Sequence, residues 1–295
     1  MEKQLFETAE ISDKGSISAT ILYKTIPGRL CLRLLVRPTL SKFMGFVMDR
    51  KVSALTVKRF VRKNKIDMSD YKAEKYTSFN SFFTRELKEG ARPISQNTHD
   101  LTAPCDGKLT AFKISDNSIF NIKGSIYDVD ELLQDKKLAD EFVNGTCLIF
   151  RLMPDNYHRY NYIDDGEIIS HKKIKGVLHT VRPIALKKYR IYKQNAREYE
   201  VLQTKNFGKA IQMEVGALFV GRIKNYKSCG NFIRGEEKGM FEFGGSTVVM
   251  LFQQNAVEVD SIFFENTLNN KETVVKMGCK IGEKIAGAGI NSPYS

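Results

Sequence analysis

The sequence has no tryptophan, seven prolines and four histidines in 295 residues, and its five cysteines (Cys31, Cys105, Cys147, Cys229 and Cys279) form no CxxC pair. Scattered thiols in odd number exclude a disulfide framework and a thiolate zinc site, and they point to a reducing compartment. Seven prolines beside 21 glycines exclude collagen-like or linker-like composition. Long apolar runs are missing too. The most apolar early stretch, Ile17 to Val36, is broken by Lys24, Pro27, Arg29 and Arg33, so it falls short of the roughly 20 residues that span a bilayer. The opening MEKQLFETAEISDKG is acidic where a signal peptide needs a basic segment and an apolar core, so secretion is not expected. Acidic residues are in deficit: 34 Asp and Glu oppose 46 Lys and Arg, a formal charge of +12. That surplus predicts an anionic partner, either nucleic acid or an anionic membrane surface.

The surplus is local. Between Arg29 and Lys65 eleven basic residues face the single Asp49, which accounts for ten of the twelve net charges. Apolar residues including Leu30, Leu34, Phe43, Phe46, Val47, Leu55, Phe60 and Val61 recur there every three or four positions, the spacing of amphipathic helices. Such helices suit a lipid interface, with apolar side chains inserted and Lys and Arg near anionic headgroups. The same pattern also describes a helical hairpin packed on its own domain with a solvated basic face.

The chain divides at about residue 95. Residues 1–95 read as a helical, basic, membrane-associating region and 96–295 as a β-rich catalytic domain. In the latter, Lys108–Ile114, Thr146–Leu152, Val201–Gln203, Ala210–Val220 and Ser246–Gln253 are rich in Val, Ile, Phe and Leu, separated by turn signals such as CDG, VNG, DDG and NFG. Asp128–Val143 reads as an inserted short helix, and Glu272–Lys284 as a last strand with turns at Gly278 and Gly282. The expected class is α+β: N-terminal amphipathic helices, then a mostly antiparallel β-sandwich or barrel-like catalytic domain.

The chemistry concentrates at Gly244-Gly245-Ser246-Thr247, a small polar turn directly before a continuous apolar strand. A serine after two glycines follows backbone that can adopt conformations closed to other residues, and the preceding carbonyl is open to attack. Attack by Ser246 on the Gly245 carbonyl would convert the amide to an ester; elimination and hydrolysis would leave a chain beginning with a pyruvoyl group. On the tetrapeptide alone, a tight turn before a buried strand is the preferred description.

Further motifs accompany it in order: Phe79-Asn-Ser-Phe-Phe-Thr-Arg85 with Ala91-Arg-Pro93, Ala103-Pro-Cys-Asp-Gly107, Asp155-Asn-Tyr-His-Arg159 and Glu214-Val-Gly-Ala217. With these the sequence resembles the phosphatidylserine decarboxylases of the bacterial type, from about residue 35 to about residue 284. The resemblance implies a proenzyme that cuts itself between Gly245 and Ser246 into a β chain, 1–245, and an α chain, 246–295. Ser246 becomes a covalent pyruvoyl cofactor. That group forms a Schiff base with phosphatidylserine and acts as an electron sink as carbon dioxide leaves and phosphatidylethanolamine forms. The expected partners are phosphatidylserine in an anionic membrane and the chain's own two fragments as a heterodimer, with self-association left open and no nucleic acid. The expected location is peripheral, on the cytoplasmic face of the cell membrane.

The resemblance also implies roles for other residues. Asp106 matches the aspartate that orients an imidazole in a relay with the serine, and His158 matches the histidine that serves as acid and base. Many members carry a second histidine three residues later as relay base; here that position is Asn161, which cannot take the serine proton. Either His158 serves both steps or another histidine supplies the base, and His179, in a strand-like segment, is the leading substitute. His171, next to Lys172 and Lys173, reads as an exposed loop residue. Arg234, Glu236, Glu237 and Lys238 read as an exposed charged loop, and Thr247 as an aid to positioning or simply a good strand residue. No ligand cluster with metal spacing is present, so no metal is expected. The alternatives are a non-processing lipid-binding relative and a basic nucleic-acid-binding protein, the latter without any helix-turn-helix, zinc-finger or RNA-binding signature.

Overall fold

The computed structural model describes residues 6–10, 21–23, 25–122, 125–180, 191–217, 222–244 and 246–285. Among them the strands in chain order are β1 (Thr8–Glu10), β2 (Asp100–Thr102), β3 (Gly107–Lys113), β4 (Ile119–Ile122), β5 (Ser125–Asp128), β6 (Thr146–Leu152), β7 (Arg159–Asn161), β8 (Gly166–Ile174) and β9 (Arg197–Thr204). They continue with β10 (Lys209–Val215), β11 (Ile223–Asn225), β12 (Gly230–Phe232), β13 (Glu237–Phe241), β14 (Ser246–Phe252), β15 (Val257–Val259), β16 (Lys271–Val275) and β17 (Lys280–Lys284).

Nine of these strands form one antiparallel sheet in the order β1-β16-β3-β6-β14-β10-β9-β8-β12. Its two edges are not joined, so the sheet is open and not a closed barrel. Alternation along β14 splits the core. Val248, Met250 and Phe252 join Tyr160, Phe241, Val257 and Ile281 on the face covered by the three-stranded sheets β11-β13-β7 and β15-β17-β2. Val249 and Leu251 join Tyr23, Leu32, Leu132, Phe142 and Tyr192 on the face covered by short helices. The result is the α+β, sandwich-like architecture that the residue patterns predict.

The basic region is helical over Ile26–Leu35, Pro38–Met48 and Val57–Asn64, with a 3-10 turn over Lys51–Thr56. Pro38 opens its helix at a position where the missing amide costs nothing, and Lys65 closes the third helix in the left-handed conformation. A short helix, Phe79–Phe83, is started by a capping box between Ser78 and Ser81. No helix among the described residues is long and apolar enough to cross a membrane.

Several details differ from the sequence reading. Asp128–Val143 contains two short helices, Val129–Leu133 and Lys136–Asp140, because Gln134 takes a left-handed conformation and Asp135 caps a new start. The tail is a pair of strands, β16 and β17, joined across Gly278 at φ 83°; Gly282 lies inside β17. Of the Ala210–Val220 strand, residues 218–220 lie outside the described residues. Arg234 and Glu236 do occupy a turn, but Glu237 and Lys238 belong to β13 and Lys238 is fully buried. His171 lies in β8, mostly covered, with Nε2 2.6 Å from Glu198.

Candidate active site

Strand register gathers distant motifs at one end of the central sheet. Ser246, the first residue of β14, pairs with Leu152 of β6, and Thr247 pairs with Arg151 on one side and Val215 on the other. Gly216 and Ala217 therefore continue past the Ser246 end of the sheet. On the far side of β6, Lys108 pairs with Arg151, so Asp106, just ahead of β3, arrives at the same end. The chain leaving β6 after Leu152 returns through His158 into β7.

Ser246 is completely buried, and its Oγ has no hydrogen-bond partner. Burying a hydroxyl without a partner costs about 1–3 kcal/mol, a cost seldom carried without function. Gly244 has φ 125°, a conformation that a side chain would strain. Gly245, the other half of the expected scissile bond, lies outside the described residues. Before the turn, the Phe243 amide donates to Asn80 Oδ1 at 3.1 Å, and its ring meets Phe79 and Phe83 edge-on.

His158 is also fully buried. Its Nδ1 donates to the Asn156 carbonyl at 2.9 Å, which leaves the Nε2 lone pair as the ring's free basic site. Burial, assisted by the Arg85 charge, pushes the imidazole down to about 3, while the Asn156 and Gly244 carbonyls pull the other way. The Phe83 ring lies 3.9 Å from the imidazole, centroid to centroid. Arg85, buried without a carboxylate, donates to the Asp155 and Asn156 carbonyls and to Tyr71. The Phe79–Arg85 motif thus holds both the turn before Ser246 and the loop carrying His158. Its recurrence as a motif signalled importance, but the sequence did not disclose these partners.

Asp106 is held by Arg92 in a two-pronged pair, Nε to Oδ1 at 2.9 Å and Nη2 to Oδ2 at 2.8 Å, and by the Met277 amide. No histidine is among its partners. Arg92 was visible only as part of Ala91-Arg-Pro93. Asn161 donates its amide to the Pro104 carbonyl and, with Arg92 and Arg159, lines an open cleft of about 310 Å³.

His179 is held by Asn195, whose Nδ2 donates both to the His179 carbonyl and to the Gly216 carbonyl beyond the end of β10. It follows the isolated bridge between Val177 and Asn195, outside any strand, where Asn195 clamps its amide and carbonyl. Its Nδ1 lies 3.3 Å from the Tyr23 hydroxyl, and burial pushes the ring down to about 4. Tyr23 belongs to the helix-covered face, whereas alternation sends Ser246 to the opposite one.

On that same face lies a buried polar cluster that the sequence did not reveal. Lys238 Nζ donates to Glu214 at 2.8 Å and lies 3.5 Å from Glu200; none of the three is exposed. Asn225 Nδ2 reaches both Glu214 and Glu198 at 3.1 Å. Burial raises Glu214 to about 7 against the pull of Lys238.

Comparison with known proteins points to one family. The family model described as phosphatidylserine decarboxylase matches residues 79–283. The chain is 50% identical over 263 residues to phosphatidylserine decarboxylase proenzyme 2 of Clostridium acetobutylicum, covering 89% of this chain and 90% of that one. It is 41% identical over 284 residues to the phosphatidylserine decarboxylase proenzyme of Fusobacterium nucleatum, covering 94% of each. The proenzyme of Ruminiclostridium cellulolyticum is 42% identical over 270 residues, 90% of each.

Proposed function

The chain belongs to the phosphatidylserine decarboxylase family, a family of carboxy-lyases, and on that premise we propose that it is a proenzyme which cuts itself between Gly245 and Ser246. The observation that carries this reading is the buried, unpartnered Ser246 hydroxyl behind a glycine turn whose Gly244 carbonyl acts on the His158 ring. These residues suit a pyruvoyl group made from Ser246. Cleavage would sever no strand pairing: β14 stays between β6 and β10, β16 against β3, and β17 against β2. Chains 1–245 and 246–295 would therefore remain one heterodimer.

The pyruvoyl carbonyl supplies an electron sink for an amine substrate, here phosphatidylserine, which would yield phosphatidylethanolamine and carbon dioxide. His158 is the acid and base of the turnover: its neutral ring takes a proton at Nε2 and returns it, and full burial keeps bulk water from the ring. Asp106 acts as an orienting group through Arg92 and the Met277 amide, fixing the end of the sheet beside Ser246.

The basic helices would dock the enzyme peripherally on the cytoplasmic face of the membrane. Ile26, Leu30, Phe43, Phe46, Val52 and Leu55 are exposed among Arg33, Arg37, Lys42, Arg50 and Lys51, the composition of an interfacial surface for an anionic lipid. Asn80 ties this region to the site, since it donates to Asp49 at 2.9 Å and accepts from Phe243.

Intact mass of the purified protein tests the proposal. The expected result is a 50-residue fragment with an N-terminal pyruvoyl group, abolished together with carbon dioxide release in Ser246→Ala. A full-length wild-type chain that still decarboxylates phosphatidylserine would overturn it.

A further inference from the structure

Self-cleavage needs a base, and Asn161 cannot take the serine proton. The cluster around Glu214 offers another acceptor. Glu214 pairs with Val248 across β10 and β14, so Ser246 is its diagonal neighbour on the same face. Diagonal residues are about 7–8 Å apart, within reach of a long side chain. An oxygen on each side chain lacks a partner: Glu214 Oε1 and Ser246 Oγ are buried and unbonded. The other carboxylate oxygen, Oε2, is anchored by Lys238 and Asn225.

We propose that Glu214 accepts the Ser246 hydroxyl proton during self-cleavage. This rests on the self-cleavage reading above. As the proton moves to Oε1, the Ser246 oxygen bonds to the Gly245 carbonyl carbon. The Gly245–Ser246 carbon–nitrogen bond then breaks, and the carboxyl returns the same proton to the departing nitrogen. The result is an ester isomer of the chain, with no atom gained or lost. Lys238 from β13 offsets the carboxylate charge. Glu198 and Glu200 from β9, Tyr160 from β7 and the Cys105 thiol are the other ionisable groups around it. Burial holds Glu214 near 7, so it can both take and return a proton at neutral pH.

The test follows processing of newly translated full-length chain after a shift to buffers between pH 5.5 and 8.5, with a denaturing gel as readout. Wild type should cleave faster as pH rises, with a midpoint near 7; an imidazole held near 3 would give a flat profile. Glu214→Gln, checked for folding by circular dichroism, should cleave roughly a hundredfold more slowly and lose the midpoint, a change that a purely structural role would not produce. A flat wild-type profile, or a folded Glu214→Gln chain cleaving within twofold of wild type, overturns the inference while leaving self-cleavage standing. If Glu214→Gln does not fold, the wild-type profile decides alone. A wild-type chain that never cuts itself removes the self-cleavage reading instead.

Discussion

Lys238 places its amine at a position with no solvent exposure, against Glu214 and Glu200. Removing one partner from such a group leaves uncompensated charge, so Lys238→Met should cost about 3–5 kcal/mol. The triple variant Lys238→Met, Glu200→Gln, Glu214→Gln should recover most of that loss, as urea midpoints in the Ser246→Ala background will measure. No local pattern announces this residue. Arg-Gly-Glu-Glu-Lys reads as a solvated turn, and only carboxylates from β9 and β10 explain why a lysine can be inside. The same limit applies to Asp106, whose Arg92 partner lies 14 positions away. Ser246 and His158 were legible because their chemistry is written in adjacent residues: glycines before the serine, and Tyr157 and Arg159 around the histidine.

At the scale of elements, the periodicity of residues 29–65 gave the helices directly, because a 3.6-residue repeat is a local property. It did not say which apolar residues face outward. Phe43 and Phe46 are 60% and 53% exposed, while Phe79, Phe82 and Phe83 form the small core beneath the helices with Val57. If the outward residues insert into lipid, Phe43→Glu with Phe46→Glu should reduce flotation with phosphatidylserine vesicles by at least tenfold without lowering the melting temperature. Equal flotation would remove these helices from the docking surface. The strong strands β3, β6, β10 and β14 were legible as apolar runs, whereas short strands such as β7, β11 and β13 were not. Three to five residues rich in charge, Arg159–Asn161 or Glu237–Phe241, become strands only because a partner strand is available.

Over the whole molecule the order β1-β16-β3-β6-β14-β10-β9-β8-β12 was beyond sequence reasoning, since it depends on pairing between residues more than two hundred positions apart. That order is also what buries His158 and Glu214, and it sets how folding responds to acid. His158 and His179 are held to about 3 and about 4, below their ordinary 6.5. Below pH 6.5 the unfolded chain binds protons that the folded one refuses, so their stabilising effect is complete above 6.5 and is lost on acidification. Glu214 acts with the opposite sign. Raised from 4.5 to about 7, it binds a proton in the folded state first, and this contribution is present below 4.5 and lost as pH rises through 7. Between pH 5 and 6 two protons on histidine oppose one on Glu214, so acidification should destabilise the Ser246→Ala chain by roughly 1 kcal/mol per pH unit from these three groups. Adding Glu214→Gln removes the opposing proton and should about double that slope, as urea unfolding at pH 5, 5.5 and 6 will measure; an unchanged slope would mean that Glu214 is ionised in the folded chain throughout this range.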